Sequence, residues 1–227
     1  MNDIIDRAVR EALRRKQIVT EKIRAAIRNQ INRGNRKKLN NKEPSLLSSN
    51  CNGAFLLHDL GLEFRTPTVN LWMKPKDYIE LLKHLEAYLK EPLQFDDRLE
   101  QQYGYPVGVL KDTVKIYFQH YKTRQEAQEK WEKRSARVDL QNLFIWFTDR
   151  DGCTYEDLKE FDALPYKNKV AFTHVPYPEF KSAFYIEGFE KEKEVGLIFD
   201  FKKDKFAVKY YDDFPYVEWF NGALEKS

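Results

Sequence analysis

The stretch Leu143-Phe144-Ile145-Trp146-Phe147-Thr148-Asp149-Arg150-Asp151-Gly152-Cys153-Thr154 reads as a buried strand that runs straight into a polar turn. Five apolar residues in succession leave no polar face, so such a strand needs cover on both sides, as in the interior of a parallel sheet. Asp151-Gly152 is a turn pair, and Thr154 followed by Glu156 and Asp157 has the form of a helix start. The spacing therefore predicts strand, turn and then a short helix over Thr154 to Phe161.

Outward from this stretch the same alternation repeats. Leu46-Leu47 is a short strand candidate, followed by a helix from Asn52 to Leu60 that stops at Gly61. Thr66 to Leu71 is β-like. Pro75 opens a helix whose stripe of Tyr78, Leu81, Leu82, Leu85 and Leu89 runs down to Lys90. Val107 to Leu110 and Val114 to Phe118 suit a hairpin around Lys111-Asp112-Thr113. Arg124 to Arg137 is a charged surface helix, and Lys169 to Phe172 a further strand. This order predicts a three-layer α/β/α domain with a mixed, largely parallel sheet.

The charge is unevenly distributed. The chain of 227 residues carries a net +3, made of +8 up to Glu43 and −5 from Pro44 onward. The basic part, residues 1–43, reads as a helical extension, with Gly34 ending the helix, and residues 44–227 as one α/β domain. The helix has an Ile, Ala, Leu and Val stripe without interleaved aromatics, so nucleic acid is not an expected partner. Packing on the domain, on a partner helix or peripherally on a membrane are the readings it leaves. No apolar run approaches the length of a membrane span, and no secretory signal pattern opens the chain, which places it in the cytoplasm. Two cysteines, Cys51 and Cys153, are expected as free thiols.

Ligands of open α/β sheets gather at the carboxyl ends of strands, and three strand ends carry polar clusters. In Ser48-Ser49-Asn50-Cys51-Asn52-Gly53 a thiol sits at a strand-to-helix turn. A helix N-terminus there lowers a thiol pKa and offers amides to an oxyanion, while the alternative is a buried cysteine in a turn capped by Asn50 or Ser49. His120 leaves the second strand of the hairpin and is placed as a base. His58 and His174 compete with it, and His84 reads as structural. Asp149 and Asp151 form an Asp-x-Asp pair that either holds a divalent cation or belongs to the turn. No glycine-rich loop of the dinucleotide or P-loop type is present, and no cofactor is assigned.

Several motifs recur in a fixed order: Ser49-Asn50-Cys51-Asn52-Gly53, Leu60-Gly61-Leu62, Thr66-Pro67-Thr68-Val69-Asn70-Leu71, Tyr105-Pro106-Val107-Gly108, His120-Tyr121-Lys122, Ala127 with Lys130-Trp131, and Phe147 to Cys153. Together they resemble an uncharacterised bacterial family whose members are often labelled exopolysaccharide biosynthesis proteins. The resemblance covers about Leu46 to Pro178 and again Phe214 to Gly222. More distantly, the Ser-Asn-Cys turn resembles cysteine-containing capsular polysaccharide acetyltransferases and papain-like peptidases. The resemblance implies a glycan or glycolipid substrate and an activated acyl or sugar donor. The resulting expectation is an acyl-type transferase with Cys51 as nucleophile, His120 as base and Asp149 as third catalytic residue. Ser49, Asn50, Asn52, Gly53, Arg150 and Asp151 would line the substrate, with amides near Asn52 and Gly53 meeting the oxyanion. A metal-dependent glycosyltransferase using Asp149 and Asp151, or a non-catalytic protein of glycan assembly, are the alternatives.

Overall fold

The computed structural model describes residues 2–223, with side chains from Arg10 onward except Ala12. The central strand is β5 (Leu143–Thr148), buried along its whole length. Its neighbours are β1 (Ser45–Ser48) on one side and β6 (Lys169–Thr173), then β7 (Ala183–Tyr185), on the other. All three pairings are parallel, with Leu46 opposite Phe144, Trp146 opposite Val170 and Phe172 opposite Phe184.

The pleat sends alternate side chains to opposite faces. Leu143, Ile145 and Phe147 join Leu47 and Ala171 on one face, while Phe144 and Trp146 join Leu46, Val170 and Phe172 on the other. The first face is covered by α3 (Pro75–Lys83), α4 (Leu85–Tyr88), α6 (Arg124–Ser135) and α7 (Tyr155–Asp162). The second face is covered by α2 (Asn52–Leu60) and α8 (Tyr216–Phe220). Three layers result, because each face of an all-apolar strand must be removed from water.

The expected α/β arrangement is present, with its parallel and antiparallel pairings divided between two sheets. The antiparallel pairing forms a separate three-stranded sheet of β2 (Gln94–Phe95), β3 (Val107–Leu110) and β4 (Val114–Tyr117), and α5 (Asp97–Tyr103) follows β2. Its hairpin has Leu110 opposite Val114, with Lys111 and Asp112 both at positive φ, the geometry that suits the twist of paired strands. Thr66 to Leu71 is not a strand. The Thr66 and Thr68 hydroxyls bond one another and the backbone amides of Thr68 and Ser48, which diverts this segment from a ladder. The helix from Pro75 breaks at His84, whose φ of −128° and ψ of 33° lie outside the helical range.

The N-terminal helix α1 (Asn2–Lys38) continues through Gly34 instead of ending there. Its last turns are held from outside: Asn35 donates to the Tyr216 hydroxyl at 2.6 Å, and Arg36 Nε donates to the Asp59 carbonyl at 2.9 Å. The strongest tie is Arg28, 4% exposed, whose guanidinium meets the carboxylates of Asp59 and Asp212 and the hydroxyl of Tyr211. Lys209 reaches the same Asp59 oxygen at 2.8 Å, so α1, α2 and the 3-10 turn Tyr210–Asp213 share one buried ion network. Tertiary contacts therefore override a glycine that costs only about 1 kcal/mol in a helix.

Candidate functional site at the carboxyl edge of the parallel sheet

Parallel pairing brings the loops after β1, β5 and β6 side by side. The loop after β1 is tightly built. A Cβ on Gly53 would lie 2.7 Å from the Ser48 Cβ, so only glycine lets the first turn of α2 come this close to the strand. Asn50 Nδ2 donates to the Thr148 hydroxyl at 2.7 Å, tying this loop to the end of β5. The Asn50 Oδ1 accepts from both the backbone amide and the side chain of Asn52, at 3.2 and 2.8 Å. The cap position itself is Cys51, whose side chain makes no capping bond, and Asn50 satisfies the Asn52 amide from the position before it.

This loop corrects part of the expected chemistry. The amides of Asn52 and Gly53, assigned to an oxyanion, are already spent on Asn50 Oδ1 and on the Ser48 hydroxyl, the latter at 3.3 Å. Cys51 is half-buried, with Sγ 3.7 Å from the Leu71 carbonyl, and burial followed by the nearby Asp151 charge pushes its thiol up to about 11. Burial and the Asp151 charge disfavour the thiolate more than the backbone hydrogen bond at Cys51 favours it, contrary to the lowered thiol expected of a helix start. The Ser49 hydroxyl and the Asn52 Oδ1 are buried without a hydrogen-bond partner.

The loop after β5 places Asp149 at the centre of the edge. Asp149 is 5% exposed, and its Oδ1 accepts from the Val195 amide at 2.7 Å. Its Oδ2 accepts from the His174 amide at 2.8 Å and lies 2.5 Å from the His174 Nδ1. With Nδ1–H donating to the carboxylate, the neutral ring presents its unprotonated Nε2, the tautomer a general base requires. The His174 side chain is 17% exposed, so the ring is held yet remains reachable from solvent. The partner of Asp149 is therefore His174, which follows β6, and not His120.

His120 is exposed beyond β4 and has no hydrogen bond or ion pair among the described residues. His58 lies on α2 with its side chain 80% exposed, 3.8 Å from Asp59 and away from this edge. Among the described residues, no hydrogen bond joins Cys51 to a histidine. The Asp-x-Asp pair is also divided. Asp149 points inward with both oxygens engaged, whereas Asp151 is exposed at φ 62° in a tight turn that Cys153 closes onto Arg150 at 3.2 Å. Arg150 donates to the Val195 carbonyl at 2.8 Å and faces Glu194 at 3.5 Å, so it anchors the loop before Val195. Thr154 and Asp157 complete a reciprocal capping box at the start of α7.

Val195, Glu194 and Tyr177 also belong to this edge, and no sequence pattern singles them out. Tyr177 follows His174 by three residues; burial raises its hydroxyl, and the charges of Asp149, Cys153 and Glu179 raise it further. It continues into an aromatic wall, with ring centroids 6.1 Å from Tyr155 and 5.8 Å from Phe180. His174 stands one residue beyond β6, and a strict application of the strand-end rule to neighbouring strands would have paired it with Asp149. Two clefts of about 490 and 600 Å³ lie elsewhere, near the amino end of β5, lined among others by Trp131 and Leu140 and by His84 and Tyr166.

The family described as "Domain of unknown function (DUF1919)" matches residues 22–221. The chain belongs to this family. The match begins inside α1, so the docked half of that helix is part of the family's shared unit, beyond the motifs that start near Leu46. A protein of Haemophilus influenzae described as "Uncharacterized protein" is 49% identical over 207 residues, covering 89% of this chain and 98% of its own length. No described helix is long and apolar enough to cross a membrane.

Proposed function

We propose that this DUF1919 protein is an acyl-type transferase of surface-glycan biosynthesis, exopolysaccharide or capsule, in which His174 oriented by Asp149 is the base. The observation that carries the reading is the Asp149 carboxylate receiving both the amide and the Nδ1 of His174 at the carboxyl edge of the sheet. Nε2 would take the proton of an acceptor sugar hydroxyl as its oxygen attacks the acyl carbonyl. The bond to the donor's leaving group then breaks, and the leaving group departs with the proton from Nε2. Cys51 forms no covalent intermediate in this scheme, consistent with a thiol pushed up to about 11. Tyr155 and Tyr177, the latter three residues after His174, offer flat, partly exposed rings, surfaces of the kind that bind a sugar's apolar face. The glycan context rests on the sequence resemblance.

The test is complementation in the source bacterium with the gene deleted. The unaltered gene should restore the acyl content of the surface polysaccharide, read by proton NMR of the purified polymer. A His174→Gln variant present at normal level and with unchanged melting temperature should not. Full restoration by His174→Gln, or a polymer unchanged by the deletion itself, refutes the reading.

A further inference from the structure

The amphipathicity of α1 is inverted with respect to the domain. The residues that face the domain are polar: Arg24 lies over the Phe201 and Phe206 rings, Arg28 enters the buried ion network, and Asn35 and Arg36 hydrogen-bond outward from the helix. The apolar residues face water instead. Leu13, Val19, Ile23 and Ile27 are 61, 55, 50 and 38% exposed. At 100° per residue Val19, Ile23 and Ile27 fall within one 80° arc, and Leu13 lies 40° beyond Ile27, so the four make a single stripe. With 37 residues the helix is a rod of about 55 Å.

We infer that this stripe is a membrane-surface docking site, laid along an anionic lipid leaflet. Charge chooses the occupant. From Arg10 to Ile27 the helix has six bases against two acids, and Arg10, Arg14, Arg15, Lys16 and Lys22 are all exposed. Arg15 and Lys22 border the stripe on its Val19 side, and Arg24 borders it on the other. Lys16 falls within the stripe itself, between Leu13 and Thr20 at the alternating three- and four-residue spacing of a packing seam. A second copy laid side by side in register would set Lys16 against Lys16 and one cationic helix against another. On a leaflet, Lys16 extends its stem along the apolar surface and keeps its ammonium at the phosphates. An apolar stripe flanked by Lys and Arg, on a helix whose remaining positions are mostly polar, is the pattern of an interfacial helix that lies in the headgroup plane. The domain from Pro44 onward carries −5, so an anionic surface attracts the helix and repels the rest of the chain.

The experiment is co-sedimentation of the full chain with vesicles of phosphatidylcholine alone and with 30% phosphatidylglycerol, alongside analytical ultracentrifugation without lipid. The expected result is binding to the anionic vesicles only, weakened by salt. The Arg15→Gln, Lys16→Gln, Lys22→Gln triple variant should bind on the order of a hundredfold more weakly, at about fivefold per base. The Val19→Ser, Ile23→Ser variant should lose binding with an unchanged melting temperature. The inference is overturned by no binding to anionic vesicles, or by binding that survives the serine substitutions. It is equally overturned by a lipid-free dimer that the serine substitutions dissociate, which would make a second copy the occupant.

Discussion

Replacing Arg28 by Met isolates what fixes α1 to the domain. The methionine keeps the aliphatic length of a side chain that is 5% exposed, and removes a guanidinium that bonds Asp59 at 3.1 Å, the Tyr211 hydroxyl at 3.3 Å and both oxygens of Asp212. Breaking a buried ion pair by deleting one partner costs about 3–5 kcal/mol, because the other charge stays buried and unpaired. Asp59 is not orphaned entirely, since Lys209 remains at 2.8 Å, and Asp212 keeps the Lys209 amide at 2.7 Å and the Tyr216 hydroxyl at 3.1 Å. The lower end of that range, about 3 kcal/mol, is therefore expected. For a chain of this size, about 2–4 °C per kcal/mol converts this to a melting-temperature loss of about 6–12 °C. Adding Asp212→Asn to Arg28→Met should recover part of the loss, because it removes the charge left unpaired. Thermal unfolding followed by circular dichroism checks both. A loss below about 2 °C, or a double variant additive in its two single losses, refutes the network's role.

The same network sets a pH dependence. Burial pushes the Asp59 carboxyl up, but hydrogen bonds from Lys209 and Tyr211 and the charges of Lys209 and Arg28 outweigh it and hold the group below the usual carboxylate range. A depressed folded pKa gives stability that is present above about pH 4 and lost as pH falls through the folded value. Urea midpoints for the wild type should fall below about pH 4 more steeply than those of Asp59→Asn, and parallel curves would contradict this. Alkylation of Cys51 by iodoacetamide, followed by peptide mass spectrometry, should be slow at pH 7 and half-maximal at about 11; rapid labelling below pH 8 would show a thiolate that burial does not permit. Gly53→Ala drives a methyl to 2.7 Å from Ser48 Cβ and should cost about 1–3 kcal/mol, read as a shifted denaturation midpoint; a neutral outcome would mean that the loop after β1 yields easily. Thr154→Ala removes one half of the α7 capping box and should cost about 1 kcal/mol, measured the same way, with a Thr154→Ser control expected to stay within about half of that.

Much of the fold is local and therefore legible in the chain. The all-apolar run Leu143–Phe147 specifies a strand buried on both faces, the pair Asp151-Gly152 its turn, Thr154 with Asp157 the helix start, and Gly61 the end of α2 at φ 67°. Each depends on backbone sterics or on hydrogen bonds within four residues. Features that depend on distant partners could not be read in this way. Gly34 signals a helix end, yet α1 runs on because Tyr216 and Asp59, far along the chain, hold its last turns. Cys51 sits at the expected helix start, but its protonation is decided by the mass of protein around it.

The site follows the same division. Sequence alone determined that polar groups close the strand at Ser48, the hairpin strand before His120 and the strand at Thr148, with His174 a further possibility after Lys169 to Phe172, since strand ends and turn residues are properties of short segments. Which cluster faces which was decided by the parallel order β1-β5-β6-β7, a long-range choice made by packing both sheet faces. That order sets His174 against Asp149, leaves His120 on the other sheet, and brings the Val195 amide, 46 residues away, onto the same carboxylate. A carboxylate engaged through both oxygens is a product of tertiary structure, because a buried charge is tolerated only where distant donors converge on it.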